Sequence, residues 1–309
     1  MSLARQFSRT PTVTRSAHTP ARCLTSGYVP LATVSGTRLA STTPAYEGHI
    51  PLNWFENAFL AVGSAVMSLA DPRRGGESIA SETTAGPSLP RLRDRMLESV
   101  EGRKILRERP RVNSNTINMN DLAQHSEGTF GRAYVTWLER CGVTPDTREP
   151  VILPSIQACQ LICSQLQFHM KVHYIDNPEL AYVMQRYREC HDFYHCICNL
   201  PVSVEYELAL KFFEFANLGL PMTAISAAFG HLRLTSEKRH RLFTEYVPWA
   251  LKCGGNAQSL ITVYWEDRWG QNLEDMKKEF GIWDPPPARW NRPLAEARLA
   301  AENRQKAAA

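Results

Sequence analysis

From Glu179 to Leu200 the chain contains no glycine, no proline and no alternating run of β-branched residues. Strands average only about 5–6 residues, so an unbroken stretch of this length is read as a helix, with Pro178 at the first helical position that proline favours. The same punctuation recurs along the chain. Trp54 to Ala70 carries apolar residues at 55, 58, 59, 62, 66 and 69, the spacing of one helical face, and ends at Asp71-Pro72. Leu92 to Leu106 reads as one charged amphipathic helix between Pro90 and Pro110, and Gly128 to Cys141 as a shorter one closed by Gly142. Ser203 can cap a helix that runs to Leu218 and stops at Gly219-Leu220-Pro221. Further helices are expected at 222–230, 237–252, 257–269 and 272–280. Alternating β-branched segments are almost absent and no repeat period is visible. The fold class expected is all-α, a single helical domain over residues 47–283.

The ends differ from this body. Residues 1–46 contain Arg5, Arg9, Arg15, Arg22 and Arg38, no Lys and no acid; the first carboxylate is Glu47. This is the composition of a disordered mitochondrial targeting segment, whose positive charge responds to the membrane potential during import. Five of the 35 basic residues lie there, which leaves 30 in the rest of the chain against 31 acidic ones. A body without basic surplus has no footprint for nucleic acid, and none is expected as a partner. Residues 284–309 begin with Asp284-Pro285-Pro286-Pro287 and continue charged and Ala-rich, which reads as a short tail. The uncharged run from Asn57 to Ala70 is shorter than the ~20 apolar residues of a spanning helix. The eight cysteines show no recurring Cys-x-x-Cys pair and read as free thiols. Cys196 and Cys198 diverge on a helix, which argues against joint ligation.

Residues 151–171 break the pattern. They hold four Gln and two Cys but no Asp, Glu, Arg or Gly, and they separate Arg148-Glu149-Pro150 from Val172-His173-Tyr174. Their length, 21 residues, is a whole number of codons. Val codons begin with GT, and one Lys codon ends in AG. The segment therefore reads as an atypical insert, an unspliced intron translated in frame. His169-x3-His173 and Cys159-x3-Cys163 have ligand-like spacings but sit in or against it, and no function is assigned to them.

The chemistry concentrates in Glu189-Cys190-His191-Asp192-Phe193-Tyr194-His195, with Glu207 twelve residues further on. On a helix His191 and His195 project from one face and can meet one ion. Asp192 lies about 100° around from His191, close enough to lean toward the same point. Pro201 breaks the chain, and the next helix brings Glu207 back antiparallel. Two imidazoles with carboxylates suit Zn²⁺, Fe²⁺ or Mn²⁺. The competing reading is a helix whose histidines merely pack. Asp in place of Glu separates the pattern from the His-Glu-x-x-His of metalloproteases. Arg188, one turn before His191, is a candidate clamp for a substrate carboxylate. Phe212, Phe213 and Phe215, or the helix Trp54–Ala70, could line an apolar groove, though plain core packing is the favoured reading of such stripes.

His191-Asp192-x-x-His195-x11-Glu207 resembles the zinc-ligand signature of the mitochondrial coenzyme Q (ubiquinone) biosynthesis protein 4 family. Tyr46-Glu-Gly-His-Ile-Pro, Pro178-Glu-Leu-Ala-Tyr-Val-Met-Gln-Arg-Tyr-Arg-Glu, Gly219-Leu-Pro-Met and Tyr264-Trp-Glu-Asp-Arg-Trp are similar to that family as well. The resemblance covers residues 46–283 and lapses at 151–171. It implies zinc ligation by His191, Asp192, His195 and Glu207. It also implies a peripheral protein on the matrix side of the mitochondrial inner membrane, in a multi-subunit complex with other ubiquinone-biosynthesis enzymes. The activity implied is a lyase reaction, removal of the C1 carboxylate of a 4-hydroxy-3-methoxy-5-polyprenylbenzoate to give a 2-methoxy-6-polyprenylphenol. The alternative is a non-catalytic scaffold that presents polyprenyl intermediates and holds a structural metal, since four protein ligands close a tetrahedral zinc site.

Overall fold

The computed structural model describes residues 43–70, 76–145 and 171–288. The expected targeting segment up to residue 42, the insert up to residue 170 and the tail from residue 289 lie outside these.

The described residues are helical, with a lone antiparallel bridge between Thr129 and Asn272 and no strand. In chain order the helices are α1 Trp54–Ala70, α2 Gly76–Thr84, α3 Leu89–Glu98, α4 Val100–Glu108, α5 Met119–Ala123, α6 Phe130–Cys141, α7 Pro178–Ile197, α8 Val204–Leu218 and α9 Pro221–Gly230. After them come α10 Ser236–Arg241, a π-helical stretch Leu242–Tyr246, α11 Val247–Asn256 and α12 Leu273–Phe280. The all-α expectation holds.

Several boundaries moved. The stretch expected as one helix between Pro90 and Pro110 is two. Pro90 sits in the first turn of α3, where its missing N–H costs nothing. Ser99 leaves the helix at ψ 152 and caps α4 by accepting from Gly102 N at 2.7 Å. Gly102 permits the tight turn, because a Cβ there would lie 2.2 Å from the Met96 carbonyl oxygen. Residues 257–269, expected as a helix, form two 3₁₀ turns, Leu260–Thr262 and Trp265–Asp267. Tertiary bonds replace the ladder there: Tyr264 N donates to Glu101 Oε2 at 2.7 Å. Trp265 is fully buried and packs on Phe193 and Phe130. α2 and α5, too short for a periodic signal, were missed.

α7 is the axis of the fold. From Ala181 to Ile197 every residue is buried except Asp192. A helix buried on all sides must pair its charges, and this one does. Arg186 meets Glu266 at 2.8 Å, Arg188 meets Glu82 at 2.7 Å, and Glu189 meets Arg111 at 2.6 Å. α8 returns beside it and packs in turn on α9 and α11. Phe213 is buried and stacked on Trp249, whereas Phe215 is exposed.

α1 departs from core packing. Its inward stripe is Asn57, Leu60, Ala61 and Ser64, mostly small groups that approach α2. The bulky residues consequently face outward: Trp54, Phe55, Phe59, Val62 and Val66 are each more than 60% exposed. No described helix is long and apolar enough to cross a membrane.

Candidate metal centre

Local sequence sets up α7 and its turn. Asn177 caps the helix, its side-chain oxygen accepting from Glu179 N and Leu180 N at 2.9 and 3.1 Å. The other end stops at Asn199, which takes a left-handed φ of 48, and Leu200 N donates back to the His195 carbonyl at 2.9 Å. Pro201 follows, and α8 then runs back with Glu207 in its first turn.

His191, His195 and Glu207 converge: one ligand atom from each lies within 4.8 Å of the others. His195 Nε2 stands 3.0 Å from Glu207 Oε1 and His191 Nε2 stands 3.4 Å from Glu207 Oε2. Asp192, expected as a fourth ligand, is outside this group. It is half-buried, whereas its neighbours from Ala181 to Ile197 are buried.

The far nitrogen of each imidazole is held. His191 Nδ1 lies 2.6 Å from Glu214 Oε1, and His195 Nδ1 lies 3.2 Å from the Leu200 carbonyl. Both partners can only accept, so both Nδ1 atoms carry the proton and, in the neutral rings, both Nε2 atoms present lone pairs to Glu207. Leu200 O also accepts from Trp137 Nε1 at 2.9 Å, and the Trp137 ring stacks on His195. Orientation of a ligating histidine through its other nitrogen is the usual arrangement in metal sites.

Two lone pairs facing a carboxylate repel unless a cation or protons lie between them. His195 Nε2 is buried with no hydrogen-bond partner, despite its 3.0 Å approach to Glu207. Without metal, protons take up part of this mismatch. Burial works against a charged His191, but the carboxylates of Glu214 and Glu207 outweigh it and raise its pKa. Glu207 is held well below the ordinary carboxylate range, the two histidines overcoming the effect of burial. Glu214 falls to about 2 against burial, through Lys211, His191 and the Tyr187 hydroxyl. Two imidazole nitrogens and a carboxylate oxygen at these separations fit a zinc ion.

Arg188 is not aimed at this centre. Its guanidinium meets Glu82 at 2.7 Å and Ser81 Oγ at 2.8 Å, with both charged side chains almost fully buried. Spacing along α7 had offered it as a carboxylate clamp, but Glu82 of α2, invisible to that arithmetic, neutralises it. Glu214 was missed. The available signal was its position seven residues after Glu207, two turns along the same face of α8.

Comparison with known proteins agrees with the fold and with the family resemblance. The model of the family described as coenzyme Q (ubiquinone) biosynthesis protein Coq4 matches residues 46–169 and 166–286. The mitochondrial ubiquinone biosynthesis protein COQ4 of Laccaria bicolor is 71% identical over 272 residues, 88% of this chain and 84% of that protein. The protein of the same name from Coprinopsis cinerea is 61% identical over 307 residues, 99% of this chain and 96% of its own. A crystal structure of a Nostoc punctiforme protein, 18% identical, superposes with a TM-score of 0.53 over 73% of this chain and 98% of its own, which speaks for the fold alone. On the match of its family model and of its fungal relatives, the chain belongs to the coenzyme Q (ubiquinone) biosynthesis protein Coq4 family.

Proposed function

We propose that this protein, through its family a component of ubiquinone biosynthesis, is a metal-dependent lyase. It removes the C1 carboxylate of 4-hydroxy-3-methoxy-5-polyprenylbenzoate, giving 2-methoxy-6-polyprenylphenol and CO2. The observation that carries the reading is the ligand count. With Asp192 outside the cluster, His191, His195 and Glu207 supply three protein ligands. Structural zinc sites are closed by four, whereas catalytic ones keep a position open. Glu207, a third exposed, gives that position a side toward solvent.

Zinc, when bound, supplies Lewis acidity that can polarise and orient the oxygens of a hydroxybenzoate. The chain's own part is positioning: Glu214 and the Leu200 carbonyl fix the imidazoles, and the buried face of α7 excludes water. C1 of the ring takes up a proton, the bond to the carboxylate breaks, and its electron pair restores the aromatic ring. One proton is consumed for each CO2 released, and no oxidant is required.

The composition of residues 1–46 and the exposed helix α1 support a reading of the place of action. The Laccaria relative is named as mitochondrial, and residues 1–46 have the composition of a targeting segment. The outward face of α1 suits the surface of a bilayer that holds polyprenyl substrates, here the matrix side of the inner membrane. Other ubiquinone-biosynthesis enzymes are the partners that would pass such lipids on.

The test is CO2 release from a short-chain 4-hydroxy-3-methoxy-5-prenylbenzoate by zinc-loaded protein in detergent, with His191→Ala as control. Zinc-dependent release lost in the variant is expected. A folded, zinc-bound protein that releases none, alone or with its partner enzymes, would leave the scaffold reading in its place.

A further inference from the structure

The two histidines of the metal centre are each held from behind, His191 by Glu214 and His195 by the Leu200 carbonyl. Among the described residues Glu207 has no such holder: the partners of its carboxylate are His191 and His195 themselves. Its aim is therefore set by the backbone of the first turn of α8. That turn is not fixed by its own cap, because the Ser203 side chain accepts no bond from it. An uncapped first turn is the part of a helix most ready to fray.

What holds the turn comes from further along the chain. Glu205 and Tyr206, the two residues before Glu207, are both buried. Arg241 grips Glu205 with two prongs, Nε donating to Oε1 and Nη2 to Oε2, each at 2.6 Å. Tyr206 meets the buried ring of Tyr246 edge-on, with centroids 5.4 Å apart, and Tyr246 donates to the Pro287 carbonyl at 3.1 Å. Glu205 and Glu207 lie about 200° apart on α8, so the guanidinium holds the turn from the side opposite to the histidines. Arg241 is the last residue of α10, and Tyr246 the last of the π-helical stretch Leu242–Tyr246. On an α-helix, residues five apart point about 140° away from each other. The i→i+5 bonds of a π-helix, such as that from Val247 N to the Leu242 carbonyl, stack them instead, and such stretches recur at functional sites. The wider turn is what lets Arg241 and Tyr246 act together on the start of α8.

Resting on the metal-centre reading, we propose that Arg241 and Tyr246 are positioning residues for Glu207, and that the π-helical stretch is the element that presents them. Both histidines come from α7, while Glu207 alone brings a ligand from α8. A slip of the first turn of α8 therefore opens the centre even when α7 stays in place. Geometry matters here as well as charge: a lysine at 241 supplies the charge at one point and cannot grip both oxygens of Glu205.

The experiment uses the full-length protein. Competition against a chromogenic chelator gives its zinc affinity, and the visible absorption of a Co²⁺-loaded sample reports the ligand geometry. Arg241→Met combined with Glu205→Gln removes the grip without stranding a buried charge. This pair variant is expected to bind zinc about tenfold more weakly, the lower end of what loss of an orienting partner does, and to change the Co²⁺ spectrum. Arg241→Lys should fall between it and the wild type, and Tyr246→Leu should move the same two readouts. Arg268→Met, which breaks ion pairs with Glu101 and Glu279 away from this contact, is the control. It should lower the melting temperature and leave affinity and spectrum in place. An equal loss of affinity in Arg268→Met would reduce the effect to general destabilisation and overturn the proposal. So would a folded pair variant with wild-type affinity and spectrum. Should the pair variant fail to fold, Arg241→Lys decides: an unchanged affinity overturns the proposal. Zinc affinity that falls in His191→Ala but in none of the Arg241 variants overturns the positioning role and leaves the metal centre standing. Zinc affinity indifferent to His191→Ala overturns both.

Discussion

Glu214 Oε1 approaches His191 Nδ1 at 2.6 Å from the side opposite to Glu207, so the ring is held between a buried carboxylate that fixes its tautomer and a carboxylate that faces its lone pair. Removing such an orienting partner usually lowers metal affinity about 10- to 100-fold. Glu214→Gln is therefore expected to weaken zinc binding by that factor while His191, His195 and Glu207 remain in place. Competition against a chromogenic chelator measures it. An unchanged affinity would mean that α7 alone orients His191.

The charge pattern also fixes the sign of a pH effect. His191 is raised above its ordinary 6.5 in the metal-free protein, so zinc must displace a proton over a window that starts above neutral-imidazole values. Apparent zinc affinity should rise with pH through that raised value and level off beyond it. The metal-free protein should behave oppositely. Stability contributed by charged His191 is complete below the unfolded pKa near 6.5 and lost as pH rises through the folded one. Glu214, depressed to about 2, contributes stability above its ordinary 4.5 that is lost as pH falls toward 2. Melting curves with and without zinc between about pH 6 and pH 9 should diverge as pH rises. A constant gap would contradict the proton displacement.

What was legible in the sequence was local. Periodicity and Pro or Gly stops placed α1, α6, α7, α8 and α12 closely, because each boundary is enforced by neighbours in the chain: Asn177 before α7, and Gly142, Gly219 and Gly281 after α6, α8 and α12. The i,i+4 rule sufficed to bring His191 and His195 to one face. What was not legible depended on distant partners. Glu82 takes Arg188 away from the centre, Glu101 stops residues 260–267 from becoming one helix, and the small inward stripe of α1 turns its large residues outward. Glu82 and Glu101 lie far along the chain from the features they change, and which stripe of α1 faces inward is decided by its packing on α2.

The Arg188–Glu82 pair is buried on both sides, with side chains 1% and 2% exposed, and Glu82 also accepts from His173 N and Tyr174 N at 2.7 Å. Deleting one partner of such a pair strands the other charge and typically costs about 3–5 kcal/mol. Arg188→Ala should lose that much in denaturant unfolding, and the double variant Arg188→Met with Glu82→Gln should lose clearly less. A stable Arg188→Ala protein with raised KM would instead return Arg188 to the role of carboxylate clamp.

The insert makes a prediction about the message. The Coq4 family model matches in two pieces, 46–169 and 166–286, that meet inside residues 151–171. Val172 just beyond is already in the core, its N–H donating to Gln185 Oε1 at 3.2 Å. Sequencing of transcripts is expected to find a form lacking the codons for 151–171, and protein made from it should bind zinc and melt like the longer chain or better. If every transcript carries these codons, the segment is a true insertion.

The outer face of α1 presents Trp54, Phe55, Phe59, Val62 and Val66, and Glu56 is the helix's charged residue. At roughly 25 cal/mol per Å² of apolar surface removed from water, burying even two phenylalanines is worth several kcal/mol. That is enough to hold the protein on a bilayer without a spanning segment. Phe59→Asp with Val62→Asp should therefore lower co-sedimentation with phospholipid vesicles by about tenfold or more. Because these side chains make no core contact, the melting temperature and zinc content of the variant should stay unchanged. Vesicle binding that survives both substitutions would remove α1 from the membrane contact. Loss of a dimer in the variant, seen by light scattering in the absence of lipid, would show that a second copy of the chain covers this face instead.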